Sequence, residues 1–136
     1  WPKITDPEHT IAARLNGLPK HVVSTTLKHP QWEHTDVVSG DVVAETGRLK
    51  ERTHAGELQI HGSAALARSL MPHGLIDEYN LLIFPVYLGR GRRLFPDGGP
   101  PTAFRLASAR TTSSGISIHT YQAAGRAEFG TFDADA

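Results

Sequence analysis

The segment 57–72 constrains the fold of this chain most strongly, because its hydrophobic period changes halfway along. Leu58 and Ile60 alternate as residues of a β-strand do. Leu66 and Leu70 are four residues apart, which places both on one face of a helix. A Gly-Ser pair separates the two patterns. The sequence therefore predicts a short strand that turns directly into a helix.

The Gly-Ser pair, Gly62 and Ser63, also predicts a place where an anion can approach the backbone. Ser63 can cap the first free amides of the helix, and Gly62 has no Cβ to block a ligand. Pro72 would close the helix. A helix N-terminus has unpaired N–H groups and a partial charge of roughly +0.5, which favours phosphate. An ordinary capped turn shows the same pattern, so this segment alone does not distinguish an anion site from a structural turn.

The composition excludes several classes of function. Lys and Arg together number 14, as do Asp and Glu, so no net charge favours nucleic acid or an anionic membrane. The chain has no cysteine, which removes disulfides, thiolate metal sites and cysteine nucleophiles. No apolar run approaches the ~20 residues that a bilayer requires. We expect a cytoplasmic protein with no nucleic-acid or membrane partner.

The predicted elements alternate between strand and helix before a closing hairpin. Hydrophobic spacing and turn residues predict a helix over 5–18, strands over 20–25 and 35–39, a helix over 41–52, the strand and helix of 57–72, a central strand over 77–84 covered on both faces, and a hairpin around 114–115. This order predicts a three-layer α/β/α domain with a mostly parallel sheet and an antiparallel C-terminal hairpin. We place the domain at 1–124 and a loose tail at 125–136.

Three loops would meet at one edge of such a sheet, because loops that follow parallel strands emerge on the same side. They are residues 24–27, 39–41 and 61–64. Their hydroxyls and one helix N-terminus suit a phosphorylated nucleotide. Lys28 and His29 follow the first loop and can meet a terminal phosphate, although an exposed Lys or His in a loop is more often simply solvated.

The other motifs give weaker evidence of function. Gly89 to Arg93 lacks the Lys-Ser/Thr ending of a P-loop, so we expect a flexible solvated loop, with closure over a ligand as the alternative. The eight histidines do not have the spacing of metal ligands, and we predict no metal site. Ser63 is not followed by the glycine of a nucleophile elbow. No catalytic residue can be assigned from the sequence.

Several ordered segments resemble one known family. They are Lys20 to Leu27, Thr35 to Asp41, Ile60 to Leu66, and Gly74 to Tyr79 continuing to Phe95, with the hairpin from Ser114 to Tyr121. Together they resemble the dihydrofolate-reductase-like domain that forms the C-terminal reductase of bifunctional riboflavin-biosynthesis deaminase-reductases, and its stand-alone bacterial relatives.

The resemblance implies an NADPH-dependent reductase of a pyrimidine- or pterin-like small molecule, similar to 5-amino-6-(5-phosphoribosylamino)uracil reductase and acting as a homodimer. NADPH would carry the hydride. The implied cofactor contacts are Ser24, Thr25, Thr26 and Leu27 near the 2′-phosphate, Ser39 and Gly40 along the adenosine, and His61, Gly62, Ser63, Ala64, Ala65 and Leu66 under the pyrophosphate. The implied wall of the substrate pocket is Pro85, Leu88, Gly89 and Gly91.

The sequence departs from the family at its start. Members begin with a strand, a Ser-Leu-Asp-Gly-like loop and a Gly-Arg-x-Thr-Tyr-like helix start, and this chain contains none of these. We expect Trp1-Pro2 to follow that missing segment. The alternative to a reductase is a binding or assembly module that keeps the fold without turnover.

Overall fold

The computed structural model describes residues 1–4, 6, 8–52, 56–95 and 97–130. The chain divides into two compact units, residues 1–59 and residues 60 onward. The first unit contains α1 (Thr10–Gly17), β1 (Lys20–Val23), β2 (Thr35–Val38) and α2 (Val42–Arg52). The second contains α3 (Ala64–Leu70), a 3-10 turn (Met71–His73), β3 (Glu78–Ile83), β4 (Thr102–Thr111) and β5 (Ser117–Arg126). No helix in these described ranges is long and apolar enough to cross a membrane.

The parallel pair of the first unit follows the sequence prediction. β1 and β2 run parallel, with Lys20 opposite Thr35 and Val23 opposite Val38. The amide of Ser24 extends the pairing by donating to the Val38 carbonyl at 3.1 Å. Both strands are rich in β-branched residues, which favour extended backbone. The strands predicted over 20–25 and 35–39 are therefore confirmed, and each is slightly shorter than expected.

The first helix begins later than the sequence suggested. Asp6 Oδ1 accepts a hydrogen bond from the Glu8 amide at 2.9 Å and so closes a local turn. His9 Nδ1 accepts from the Ala12 amide at 3.3 Å and caps α1. The expected start near residue 5 was wrong because Asp6 bonds two residues ahead instead of capping a helix. Thr5 and Pro7, which were expected in the first turn, lie outside the described residues.

One lysine fixes the end of α1 to the start of β1. Lys20 Nζ donates to the carbonyl oxygens of Leu15, Asn16 and Leu18 at 2.9, 3.1 and 2.7 Å. It also lies 4.8 Å from the centre of the Trp32 ring. The indole Nε1 of Trp32 donates to Asn16 Oδ1 at 2.9 Å. Three unpaired carbonyls near a helix C-terminus are thus satisfied by a single cation.

The second unit is built on an antiparallel sheet of order β3-β5-β4. The predicted C-terminal hairpin is confirmed as β4 and β5. The unit also contains α3, in which Leu70 is 2% exposed. The expectation of a central, doubly covered strand over 77–84 was wrong, since β3 is the outermost of the described strands. Leu82 and Ile83 near its end are 56% and 52% exposed.

The expectation of a strand before α3 was also wrong. Residues 57–60 have no regular structure, and Leu58 and Ile60 are exposed. Alternating apolar residues form a strand only when a neighbouring backbone completes the hydrogen-bond ladder, and none of the described strands pairs with this segment. Parallel pairing is confined to β1 and β2, so the mixed α/β class is confirmed but the described sheets are not mostly parallel.

Candidate functional site

The first unit contains a cavity where its two parallel strands end. Its volume is about 330 Å³. The cavity combines an apolar floor with hydroxyl groups and a glycine, and its lining residues are Val23, Ser24, Thr25, Val38, Ser39, Gly40 and Val42. The structure therefore brings together the first two of the three loops predicted to form a nucleotide site. None of the lining residues is charged.

The first loop is held in shape by Ser24. Its Oγ accepts hydrogen bonds from the amides of Thr26 and Leu27 at 3.2 and 3.0 Å. This is the local turn by which a serine satisfies the amides that follow it. The exposed Lys28 Nζ lies 3.5 Å from the Thr25 carbonyl oxygen. A positive charge therefore stands at the end of this loop.

The second loop leads into α2 and carries a negative charge. Asp41 Oδ1 accepts from the amides of Val43 and Ala44, both at 3.1 Å, which confirms Asp41 as the predicted cap. The carboxylate already neutralises the first amides of α2, so a phosphate gains little there. Carboxylate oxygens next to Ser39 and Gly40 suit the hydroxyl groups of a sugar, which can donate to them.

The third predicted loop belongs to the second unit. Gly62 and Ser63 both adopt positive φ, 74° and 55°. Ser63 Oγ accepts from the Leu66 amide at 3.4 Å, so the predicted cap of α3 is confirmed. The amides of Ala64 and Ala65 have no acceptor within the described ranges. His61, the residue before this turn, is exposed.

The predicted substrate wall lies in the segment after β3, where the described residues have no regular structure. Pro85, Leu88, Gly89 and Gly91 are all exposed there, and Gly89 has a φ of 72°. A side chain at Gly89 would be strained, since positive φ disfavours residues with a Cβ. The loop expected over 89–93 is confirmed as irregular.

A second cavity was missed by the sequence reasoning. It has a volume of about 240 Å³ and lies over one face of the antiparallel sheet, lined by Tyr79, Leu81, Phe95, Phe104 and Tyr121. The Tyr79 and Phe104 rings meet edge to face with centroids 5.1 Å apart. His119 Nδ1 lies 3.0 Å from Tyr121 Oη.

The alternation of Tyr79 with Leu81, and of His119 with Tyr121, indicated one shared face for each strand. That pattern could have revealed three of the five lining residues, Tyr79, Leu81 and Tyr121. Phe95 comes from an irregular segment, and no periodic signal marks it. No group of three or more possible metal ligands occurs among the described residues.

Burial of Tyr79 predicts that the stability of the protein falls at alkaline pH. Removal from water raises the pKa of this phenol above its ordinary value of about 10, because it disfavours the phenolate. The unfolded chain therefore loses this proton at lower pH than the folded protein. The contribution of this phenol to the free energy of unfolding is fully present below about pH 10. It is lost as the pH rises through the pKa of the folded protein.

We expect Tyr79→Phe to remove part of the alkaline loss of unfolding free energy, measured by urea unfolding from about pH 8 to about pH 11. Tyr87→Phe is the control, since Tyr87 is 94% exposed. An equal alkaline loss in Tyr79→Phe and the parent would contradict the assignment.

Comparison with known proteins identifies the family of this chain. Residues 1–118 match the RibD C-terminal domain. Two uncharacterized proteins of Bacillus subtilis (strain 168) are similar: YyaP is 29% identical over 117 residues and YwjB is 30% identical over 93 residues. These matches cover 85% and 68% of this chain but only 61% and 53% of the relatives, so the chain spans little more than half of their length.

A solved structure shows the same fold. A protein from Shewanella sp. PV-4, provisionally named a riboflavin biosynthesis protein, matches with a TM-score of 0.65 and 23% identity over 85% of this chain and 70% of its own. The described units define a mixed α/β protein with a hydroxyl-lined cavity at the ends of parallel strands. The chain belongs to the RibD C-terminal domain family, as the match over residues 1–118 shows.

Proposed function

We propose that this protein is an NADPH-dependent reductase of a pyrimidine- or pterin-like substrate, of the kind that reduces 5-amino-6-(5-phosphoribosylamino)uracil. Membership of the RibD C-terminal domain family supports reductase chemistry in general. The single structural observation that carries the proposal is the cavity at the ends of β1 and β2. Its volume falls within the roughly 300–1,000 Å³ of small-molecule sites.

The residues around this cavity fit the adenosine half of the cofactor. Val23, Val38 and Val42 offer an apolar surface for a base. The Asp41 carboxylate can accept from ribose hydroxyls. The hydroxyl of Thr25 and the ammonium of Lys28 would meet the 2′-phosphate, because both lie on the loop that Ser24 orders. NADPH, when bound, supplies the hydride.

The remaining contacts rest on the family resemblance. Residues 61–66 would hold the pyrophosphate, and the free amides of Ala64 and Ala65 support that assignment. Pro85, Leu88, Gly89 and Gly91 would form the substrate wall. The three-layer arrangement, the domain limits at 1–124, the cytoplasmic location and the homodimer belong to the same proposal.

Lys28 provides the sharpest test of cofactor choice. We expect Lys28→Ala to weaken NADPH binding about tenfold while leaving NADH nearly unchanged, since only NADPH carries the 2′-phosphate that this cation would meet. Binding is followed through tryptophan fluorescence, because Trp1 and Trp32 both lie in the first unit. Lys50→Ala, on the far part of α2, is the control. A protein that shows no saturable change at millimolar NADPH is not a reductase of this kind.

Turnover separates the reductase from a binding module with the same fold. Steady oxidation of NADPH in the presence of an aminouracil or dihydrofolate substrate is the result expected of the reductase. Saturable binding of NADPH without any substrate-dependent oxidation would instead favour the non-catalytic module.

A further inference from the structure

One hydrogen bond ties α3 to the segment that follows β3. Arg68, in the last turn of α3, donates from Nη2 to the carbonyl oxygen of Arg93 at 2.5 Å. The two residues are 25 positions apart in the sequence, and both belong to the second unit. The acceptor is a main-chain atom, so the bond fixes the path of the chain at residue 93 and not the direction of a side chain.

The segment 84–95 is held in place near both of its ends. Near its start, the ring of Pro85 lies beside the hairpin turn, 3.7 Å from the place that a Cβ on Gly115 would occupy. At its end, the Phe95 ring packs on the Tyr79 ring with centroids 5.8 Å apart. The rest of the proposed substrate wall lies between these two contacts, at Leu88, Gly89 and Gly91.

The charge of Arg93 does not oppose the bond to Arg68. Arg93 Nη1 donates to the two carboxylate oxygens of Asp97 at 2.9 and 3.2 Å. Because the carboxylate neutralises the guanidinium of Arg93, the cation of Arg68 reaches the Arg93 carbonyl without facing an unpaired like charge.

Stability alone does not explain an arginine at position 68. Arg68 Nε is buried and has no hydrogen-bond partner among the described residues. A buried donor without an acceptor lowers the stability of a protein. An unbranched apolar side chain such as methionine would cover similar surface without that cost. The bond to the Arg93 carbonyl is therefore the contribution that an apolar residue cannot replace.

We infer that Arg68 is a positioning residue for the substrate: through the Arg93 carbonyl it holds the segment 84–95, and with it the substrate wall, against α3. The inference rests on the proposed function, in which residues 61–66 at the start of α3 hold the cofactor. One guanidinium then sets the distance between the cofactor-binding turn and the substrate wall. That distance matters because transfer requires the reacting atoms to lie about 3–3.5 Å apart.

Arg68→Met tests this role. We expect the KM for 5-amino-6-(5-phosphoribosylamino)uracil to rise about tenfold, because the substrate wall is no longer fixed. The NADPH dissociation constant and the urea midpoint of unfolding should not change. Steady oxidation of NADPH measures KM, and tryptophan fluorescence measures cofactor binding.

Two further variants serve as controls for Arg68→Met. Arg68→Lys should keep KM within about threefold of the unaltered chain, since an ammonium group can also donate to a carbonyl oxygen. Arg110→Met removes an exposed arginine from β4 in the same unit and should leave KM unchanged.

Limited proteolysis gives a second measurement that needs no substrate. Trypsin cleaves after Arg90 and Arg92, and cleavage there requires the segment to leave its place. Arg68→Met should speed this cleavage about fivefold, because the open form becomes more populated. Arg110→Met should not change the rate.

Equal cleavage rates in Arg68→Met and the unaltered chain would overturn the inference, and so would an unchanged KM. A large fall in the urea midpoint of Arg68→Met would also overturn it, since Arg68 would then serve stability. A failure of the proposed function has a different signature. The unaltered chain would then oxidise no NADPH with this substrate, while faster cleavage of Arg68→Met would still show that Arg68 anchors the segment.

Discussion

Gly40→Leu should weaken NADPH binding at least ~30-fold, about 2 kcal/mol, without unfolding the protein. Gly40 lines the first cavity, and a Cβ built on it meets no atom within 4 Å. Its backbone does not adopt positive φ, so a leucine causes no strain there. The new side chain would fill the space in which we propose that the adenosine binds. Titration of tryptophan fluorescence with NADPH measures the loss.

Gly17→Leu is the matched control for this substitution. Gly17 is exposed at the end of α1, and a Cβ there also meets no atom within 4 Å. NADPH affinity should remain that of the unaltered chain. If Gly40→Leu bound NADPH as tightly as Gly17→Leu, the cofactor would have to bind away from this cavity.

Leu70→Ala should lower the free energy of unfolding of the second unit by about 2–5 kcal/mol. Leu70 is 2% exposed, the most buried large side chain among the described residues. Truncation of a side chain this buried leaves a cavity that its surroundings fill only partly. Urea unfolding followed by the near-ultraviolet circular dichroism of tyrosine reports this unit, because all three tyrosines lie in it and both tryptophans lie in the first.

Leu106→Ala serves as the comparison, since Leu106 is 51% exposed in the same unit. Its expected cost is about 0.5 kcal/mol, typical of a surface position. Equal losses for the two alanine variants would show that α3 does not carry the core of this unit.

The sequence predicted local structure well wherever a hydrophobic pattern was preceded by a helix-capping residue. Asp41 before α2 and Ser63 before α3 each supply an oxygen to the amides that follow, and both helices begin where expected. Alternation within β4 and β5, joined by Ser114-Gly115, likewise identified the hairpin. These features depend on residues within a few positions of one another, which is why spacing alone reveals them.

The errors arose where the structure of a segment depends on backbone that is distant in the sequence. Leu58 and Ile60 alternate correctly, yet a strand also needs a ladder partner, and sequence spacing cannot supply one. In β3, Leu82 and Ile83 suggested cover on both faces, which is a property of neighbours and not of the strand itself. The same limit applied to the site: Ser24 and Ser39 were placed together correctly, whereas the aromatic cavity needed Phe95 from an irregular segment.

The position of Lys20 has a practical consequence for handling this protein in the laboratory. Its ammonium holds three main-chain carbonyls and faces the indole that would report ligand binding. Acylation by an amine-reactive dye or resin would abolish that charge and disturb both the end of α1 and the emission of Trp32. Since the chain has no native thiol, a single introduced cysteine on the surface is the better attachment point for labels and surfaces.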